Sequence, residues 1–187
     1  MLKAAQTIDS RSYLIALLGG EAGLRAGEIV ALEWADVDLD RRQIRVRHSD
    51  WCGELIAAKN GRIRFIAMTE RLAVAIRQHR HLRSLRVLCK DDGTPITRQG
   101  AWSRVRYAAQ RANLPTGVHI LRHTFCSHLA MQGAPMRGVQ ALVGHQSLAM
   151  TERYSHLSPA AVDATIRLLE SRTRPRAVGD SLETPKG

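Results

Sequence analysis

The segment 119–154 contains side chains whose types suit the handling of a phosphate group. Arg122 can bind phosphate oxygens with a planar guanidinium, and His119 and His145 can hydrogen-bond and move protons. Tyr154 lies in a polar stretch and can act as a nucleophile once nearby cations or a base assist the loss of its proton. The segment therefore predicts phosphoryl transfer with tyrosine as the attacking group.

Two further groups that this chemistry needs lie upstream. Negative charge accumulates on the phosphate oxygens in the transition state, and the acidic residues are concentrated in the first third of the chain, far from Tyr154. This favours guanidinium groups over clustered carboxylates that hold Mg²⁺. Arg25, at a predicted loop-to-helix junction, is the natural partner of Arg122, and Lys59, at a predicted hairpin tip, can protonate the leaving alkoxide.

Other assignments of these residue types stay open at this point. Tyr13 lies on the apolar face of a predicted helix and is assigned to the core, whereas Tyr107 fits packing and DNA contact equally well. Four residues at short spacing could suggest zinc, namely His119, His123, Cys126 and His128. Because no Glu follows the first histidine as in HExxH, we expect no metal site, and we expect His123 to be a buried, hydrogen-bonded structural histidine.

The charge of the chain is unevenly distributed. The 28 Lys and Arg residues exceed the 17 Asp and Glu residues by 11, and the excess lies in the middle third. Residues 1–58 hold 7 basic and 9 acidic groups, residues 59–111 hold 13 and 3, and residues 112–187 hold 8 and 5. A concentrated positive field attracts a polyanion, so we predict double-stranded DNA as a partner. The arginines expected to contact DNA are Arg62, Arg64, Arg98 and Arg104.

The cysteines and the apolar runs indicate the compartment. Cys52, Cys89 and Cys126 are odd in number and far apart, so they form neither a disulfide framework nor a CxxC pair, which fits a reducing cytoplasm. The longest apolar run, near residues 13–18, is too short to cross a bilayer, and the N-terminus lacks the apolar core of a signal peptide. We expect a cytoplasmic protein with no membrane partner.

The predicted elements are mostly helical. Helical spacing and caps predict helices near residues 10–20, 26–32, 70–83, 98–112, 121–131, 135–143 and 159–171. Asp9 and Ser10 are the candidate caps of the first helix, Thr97 is the cap of the helix at 98–112, and Gly144 is a terminator. Alternation of apolar and polar residues predicts strands at 43–47, 54–58 and 62–66, and Asn60-Gly61 predicts a hairpin turn between the last two. The expected fold class is α+β, mostly α-helical, with a small antiparallel three-stranded sheet.

Five motifs together resemble the catalytic domain of the tyrosine recombinases, the phage integrase family. They are AGLRAGEI at 22–29, KNGR at 59–62, HILRH at 119–123, LVGH at 142–145 and MTERYSHL at 150–157. The likeness runs from about residue 9 to residue 170, with the motifs in the family's order. HxxR, then LxGH, then a nine-residue step to Tyr is a specific signature, whereas the lysine motif alone would be a weak one.

The resemblance implies a role for each matching position. Arg25 and Arg122 would clamp the scissile phosphate, assisted by His119 and His145, with Lys59 as general acid toward the departing 5′-hydroxyl, Tyr154 as nucleophile and Glu28 as a support that orients Arg25. The product of the attack would be a 3′-phosphotyrosyl link. Because that link conserves the phosphodiester energy, the resemblance implies neither metal nor other cofactor.

The implied function is that of a site-specific DNA recombinase or integrase that cleaves and rejoins strands. A type IB topoisomerase-like relaxation activity and a DNA-binding remnant that modulates an intact integrase are the alternatives. Recombination would bring several protomers together on paired sites. The predicted helix at 158–171 fits docking on a neighbouring protomer and packing on its own core equally well. We expect residues 1–171 to form the catalytic domain without the family's N-terminal core-binding domain, hence a chain that could be inactive alone, and residues 172–187 to form a flexible tail. The implied origin is bacterial or phage-encoded, with association to the nucleoid.

Overall fold

The computed structural model describes residues 1–58, 63–145 and 147–157, and about half of these residues are helical. The helices are α1 (Leu2–Gln6), α2 (Ser10–Gly20), α3 (Ala26–Ala31), α4 (Glu70–His79), α5 (Arg98–Arg111), α6 (Val118–Met131), α7 (Met136–Val143) and α8 (Ala149–Glu152). The strands are β1 (Val37–Asp38), β2 (Gln43–Val46), β3 (His48–Trp51), β4 (Glu54–Ala57) and β5 (Arg64–Ala67). Short 3₁₀ turns follow α3 at Trp34–Asp36 and α8 at Ser155–Leu157. The helix predicted at 159–171 and the tail at 172–187 lie outside the described residues.

Local capping explains where the helices begin and end. The Asp9 carboxylate accepts a hydrogen bond from the Ser12 amide at 2.7 Å, and the Thr97 hydroxyl accepts one from the Gly100 amide at 3.0 Å, so the predicted N-caps of α2 and α5 are confirmed. Gly144 ends α7 in the left-handed conformation, with φ 66° and ψ 48°, which costs little without a Cβ. Helix α6 begins at Val118, three residues earlier than predicted, and therefore includes His119 in its first turn.

The strands form two sheets instead of the single predicted one. Strand β2 pairs antiparallel with β1 and with β5, giving the order β1-β2-β5. Strand β4 was expected in this sheet, but it pairs with β3 in a separate hairpin, so the predicted pairing is wrong. Cys52 and Gly53 close that hairpin with φ of 53° and 94°, as a type I′ turn requires. The predicted Asn60-Gly61 turn lies outside the described residues.

Two hydrophobic cores support the site. The larger core surrounds α2, whose side chains from Leu14 to Leu18 are fully buried, and burial of each such large side chain contributes roughly 1.5–3 kcal/mol. The smaller core joins α6 and α7 to the segment after α8 through Phe125, Val143 and Tyr154. The candidate nucleophile is therefore also a packing residue. Within the described ranges, no helix combines the length and the apolar character needed to span a bilayer.

Close packing of α2 against α6 sets the position of Arg122, because its neighbour Leu121 lies on Gly19. A Cβ added at Gly19 would lie 2.8 Å from both Cβ and Cδ1 of Leu121, whereas one added at Gly20 would lie 3.9 Å from Leu121 Cδ2. We expect Gly19→Ala to lower the free energy of unfolding by about 1–3 kcal/mol, because the Leu121 Cβ cannot move without its helix. Urea unfolding followed by circular dichroism measures this.

Gly20→Ala is the matched control for that variant. It adds the same methyl group to the same turn of α2, in ordinary van der Waals contact, and it replaces a poor helix former with a good one. We expect its unfolding free energy to equal or exceed that of the wild type. Equal losses in the two variants would show that the spacing between α2 and α6 does not depend on Gly19.

Candidate active site

Three arginines from separate elements meet the C-terminal end of α7. The hydrogen bonds pair Arg64 Nε with Leu142 O at 3.0 Å, Arg122 Nη2 with Val143 O at 2.6 Å, and Arg25 Nη2 with Gly144 O at 2.9 Å. The last carbonyls of a helix have no intrahelical partner and form the negative end of its dipole, so they attract guanidinium groups. The next residue is His145, and its position therefore depends on all three arginines.

Arg25 owes its orientation to a buried carboxylate. It is the N-cap of α3, and its backbone amide donates to Glu28 Oε2 at 2.7 Å while its Nη1 donates to Glu28 Oε1 at 2.9 Å. Glu28 is only 2% exposed. Burial alone would raise the pKa of Glu28, but the hydrogen bonds and charges of Arg64 and Arg25 outweigh it and hold the pKa below its ordinary value. Glu28 thus stays ionised as a fixed anchor behind Arg25.

Arg122 is held in the interior by backbone groups. Its Nη1 donates to Gly23 O at 2.7 Å, its Nη2 donates to Val143 O, and the residue is only 7% exposed. Burial, followed by the nearby charge of Arg25, lowers the pKa of Arg122 to about 10, so it remains a cation at neutral pH. The two guanidiniums repel each other, and an anion bound between them would relieve that repulsion.

His145 is oriented by a residue that the sequence patterns did not single out. The fully buried Thr151, on α8, places its hydroxyl 2.8 Å from His145 Nδ1. Burial, followed by the charges of Arg122 and Arg25, lowers the pKa of His145 to about 4. The imidazole is therefore neutral at pH 7, and when Nδ1 accepts from the threonine, Nε2 carries the proton and can donate to a phosphate oxygen.

This lowered pKa predicts a pH dependence of stability. Between about 4 and 6.5, unfolded His145 binds a proton and folded His145 does not, so its contribution to stability is lost as the pH falls through that window. We expect His145→Gln to flatten the rise in unfolding free energy between these pH values. Urea titrations at pH 4.5 and 7 measure it, with the exposed His128→Gln as control. Identical slopes in both variants and the wild type would contradict the prediction.

Tyr154 packs with the smaller core and is 7% exposed. Its hydroxyl forms a hydrogen bond with His123 Nδ1, and the centroids of the two rings lie 6.0 Å apart. Burial, followed by the neighbouring Cys126, raises the pKa of Tyr154, so the phenol is protonated in this conformation. The expectation that His123 is buried is wrong, because its ring is exposed, but the hydrogen-bonded role is correct. The sequence signal for this role was the position of His123 one helical turn after His119.

His119 lies apart from these contacts, at the exposed start of α6. It lines a cavity of about 570 Å³ together with Trp102 and Arg98. The Arg98 guanidinium lies 5.0 Å from the centre of the Trp51 ring, at the tip of the β3–β4 hairpin. The cavity is therefore bordered by one catalytic candidate and one predicted DNA contact. Among the described residues, no three His, Cys, Asp or Glu side chains are grouped to hold a metal ion.

The other predicted positions have different outcomes. Arg64 was expected on the DNA surface, but its guanidinium is turned inward onto Glu28 and α7 because α7 covers that face of the strand. Arg104 pairs with Asp9 and donates to the Ser12 hydroxyl at 3.2 Å, so it ties α5 to the start of α2. Lys59 and Arg62 lie outside the described residues.

Comparison with known proteins places this arrangement in a family. A sequence model of the phage integrase family matches residues 1–161. The tyrosine recombinase XerD of Ralstonia nicotianae is 32% identical over 168 residues, which cover 83% of this chain and 50% of that protein. The tyrosine recombinase XerA of Thermococcus kodakarensis is 32% identical, with coverage of 84% and 55%. The chain spans about half the length of the curated relatives it matches.

Solved structures show the same fold. The crystal structure of XerA recombinase superposes with a TM-score of 0.71 at 26% identity, covering 94% of this chain and 62% of that one. The Tn1549 transposon integrase in complex with a circular intermediate DNA gives 0.70 at 25% identity, covering 86% and 57%. The catalytic domain of bacteriophage HP1 integrase shares the fold alone, with a TM-score of 0.63 at 23% identity, over 88% and 85%. The predicted tyrosine recombinase catalytic-domain fold is confirmed.

Proposed function

Because this chain belongs to the phage integrase family, we propose that it is the catalytic domain of a site-specific DNA recombinase that works through a 3′-phosphotyrosyl intermediate. One observation carries the proposal. Arg122 binds the carbonyl of Val143 and Arg25 binds that of Gly144, immediately before His145, so two cationic forks are fixed at one point. Each of these hydrogen bonds uses a single N–H group of a guanidinium that has five. The pair suits a phosphodiester with two non-bridging oxygens.

The proposed reaction transfers the phosphate from the 5′-oxygen to tyrosine, and the new phosphotyrosyl bond conserves the energy of the phosphodiester. The Tyr154 oxygen attacks phosphorus, the bond from phosphorus to the 5′-oxygen breaks, and the 3′-phosphate becomes linked to the tyrosine. The phenol gives its proton to His119 as it attacks, and the departing 5′-oxygen takes one from Lys59. His119 and His145 hydrogen-bond the phosphate oxygens, and Glu28 keeps Arg25 aimed at them. A second 5′-hydroxyl then attacks the intermediate and rejoins the strand.

The proposed conformational requirement follows from the buried tyrosine. Tyr154 is packed among Phe125, Val139 and Val143, with its oxygen bound to His123. The proposal requires that the phenol leave His123 and reach the phosphate held by the arginines. The segment that carries it is short, because α8 has four residues and ends at Glu152, two residues before Tyr154.

The proposed partners are double-stranded DNA and further copies of the recombinase on paired sites. The basic middle third supports the first, and Arg62, Arg98 and Arg104 remain candidates for backbone contacts. The helix at 158–171 is proposed to dock on a neighbouring protomer, within a catalytic domain of residues 1–171 followed by a tail. We place the protein in the bacterial cytoplasm, at the nucleoid, and the proposed chemistry uses no cofactor.

The test uses a nicked DNA duplex that traps the intermediate. A nick close to the scissile phosphate lets the short 5′-hydroxyl fragment diffuse away, so the covalent link cannot be reversed. The chain is incubated in EDTA with nicked duplexes from the DNA that flanks its gene, and adducts are resolved on a denaturing gel. We expect an adduct that peptide mapping assigns to Tyr154.

Three other outcomes would contradict the proposal or refine it. Salt-sensitive binding without an adduct, both for the chain alone and after fusion to a core-binding domain, would overturn it in favour of a DNA-binding remnant. Relaxation of supercoiled plasmid irrespective of sequence, without recombinant products, would indicate topoisomerase-like activity instead. An adduct formed only by the fusion would support the chemistry and show that this chain needs a core-binding domain for DNA cleavage.

A further inference from the structure

We propose that Arg64 is a positioning residue for DNA cleavage, which fixes the phosphate-binding arginine Arg25 and the histidine His145 through contacts that do not involve DNA. The inference rests on the proposed function and adds a residue to it. Arg64 lies on β5, on the face of the strand that α7 covers, and its side chain is 13% exposed. Each of its three guanidinium nitrogens has a partner within the chain.

The hydrogen bonds of Arg64 join Glu28, which orients Arg25, to the end of α7, which precedes His145. Nη1 and Nη2 donate to the two Glu28 oxygens at 2.9 and 2.6 Å, and Nε donates to Leu142 O at 3.0 Å. Glu28 also holds both the backbone amide and the guanidinium of Arg25. Among the described residues, Arg64 therefore joins the carboxylate behind Arg25 to the end of α7, as Arg25 itself does.

The end of α7 transmits this constraint to His145. The Arg64 side chain runs beside Gly144, where an added Cβ would lie 3.5 Å from both Cδ and Nη1 of Arg64. Gly144 carries the carbonyl that Arg25 binds, and the following amide, of His145, donates to Gln140 O at 3.2 Å. Loss of the Arg64 fork would thus shift both Arg25 and His145 relative to Arg122.

A lysine at this position keeps the charge and loses the geometry. Its single ammonium is a compact point charge and cannot bind both carboxylate oxygens in the plane of a fork and reach the Leu142 carbonyl at the same time. A displacement of about 1 Å in a group that positions a reacting phosphate can slow the chemistry about 100-fold. DNA affinity would change little, because the DNA-facing charges are retained.

The test compares Arg64→Lys with Arg45→Lys as a matched control. Arg45 also lies on a strand of the same sheet and also pairs with a buried carboxylate, that of Asp36 at 2.9 Å, but on the other side of the sheet from α7. Three quantities are measured: DNA affinity with its salt dependence, the rate of single-turnover cleavage of nicked DNA at saturating protein, and the ring ¹⁵N chemical shifts of His145. Arg64→Gln serves as a second variant if Arg64→Lys fails to fold.

We expect Arg64→Lys to cleave about 100-fold more slowly, with affinity within about threefold of the wild type and altered His145 shifts. Arg45→Lys should match the wild type in all three. In Arg64→Gln, which removes the charge, a weaker affinity with a salt slope reduced by about 1 would make Arg64 a phosphate contact and overturn the inference. An unchanged cleavage rate, even with a lower melting temperature, would reduce Arg64 to a stabilising residue and overturn it as well.

Failure of the proposed function gives a different pattern. If wild-type protein forms no adduct on any nicked duplex, the cleavage assignment fails, and the His145 shifts remain as a test of the positioning. Altered shifts in Arg64→Lys together with unchanged shifts in Arg45→Lys would then still support the link between Arg64 and His145. Unchanged shifts in both variants would overturn it.

Discussion

The Tyr154→Phe variant is expected to form no detectable covalent adduct with nicked DNA, while it binds the same duplex within about threefold of the wild-type affinity. The substitution removes only the oxygen that attacks phosphorus, and no other side chain described at the site can replace it. The ring stays in the smaller core, so the fold is retained. The lost hydrogen bond to His123 should cost about 0.5–1.5 kcal/mol of unfolding free energy.

The control for this variant is Tyr107→Phe. Tyr107 is 50% exposed on α5, and its hydroxyl lies 3.5 Å from Arg111 Nη1, so its loss removes a tyrosine oxygen without touching the smaller core. Denaturing gels should show wild-type adduct for Tyr107→Phe and none for Tyr154→Phe. Adduct in the Tyr154→Phe protein would assign the nucleophile to another residue and refute the proposed chemistry.

The Arg122→Lys variant is expected to lower the single-turnover cleavage rate by about 100- to 1,000-fold, the loss typical when one preorganised donor to a reacting oxyanion is removed. Lysine cannot bridge the carbonyls of Gly23 and Val143 and still present a fork to the phosphate. Burial that lowers the pKa of Arg122 to about 10 acts also on a lysine, whose ordinary pKa is about two units below that of arginine. The variant should therefore lose charge at mildly alkaline pH.

The pH profile distinguishes this cause from a general loss of structure. Cleavage by Arg122→Lys should fall further as the pH rises from 7 to 9, whereas the wild type keeps its guanidinium charge over that range. Arg137→Lys, which changes an exposed arginine on α7, is the control and should match the wild type. A cleavage rate for Arg122→Lys equal to that of the wild type would exclude Arg122 from the phosphate clamp.

Local signals in the sequence predicted much of the fold. The caps at Asp9 and Thr97 and the terminator Gly144 are short-range chemistry, in which one side chain or one conformation satisfies nearby backbone groups. Strand β3 escaped prediction because His48–Trp51 has no apolar alternation. Its pairing with β4 depends on a turn at Cys52, a residue type that seldom accepts positive φ.

The sequence indicated which residue types form the site, but not which of these side chains contact each other. Alternation along β5 gives the two faces of the strand but not which of them is buried, and the structure buries Ile66 beside Arg64 while Phe65 is 56% exposed. An arginine on an inner face became possible because Glu28 and the end of α7 offer it three acceptor oxygens in one place. Thr151 gave no signal because its contact with His145 requires the turn between α7 and α8.

The attachment of Arg25 to Gly144 has a consequence for synthesis of the protein on the ribosome. The two residues are 119 positions apart, and Arg122 binds Gly23 across 99 positions. A nascent chain cannot close the Arg122 contact until α6 has emerged, or the Arg25 contact until the end of α7 has emerged, when nearly all of the described domain has been made. The growing polypeptide therefore contains the basic middle third, which is proposed to bind DNA, before the candidate active site is assembled. If the proposed function holds, the order of translation separates attraction to DNA from the ability to cleave it.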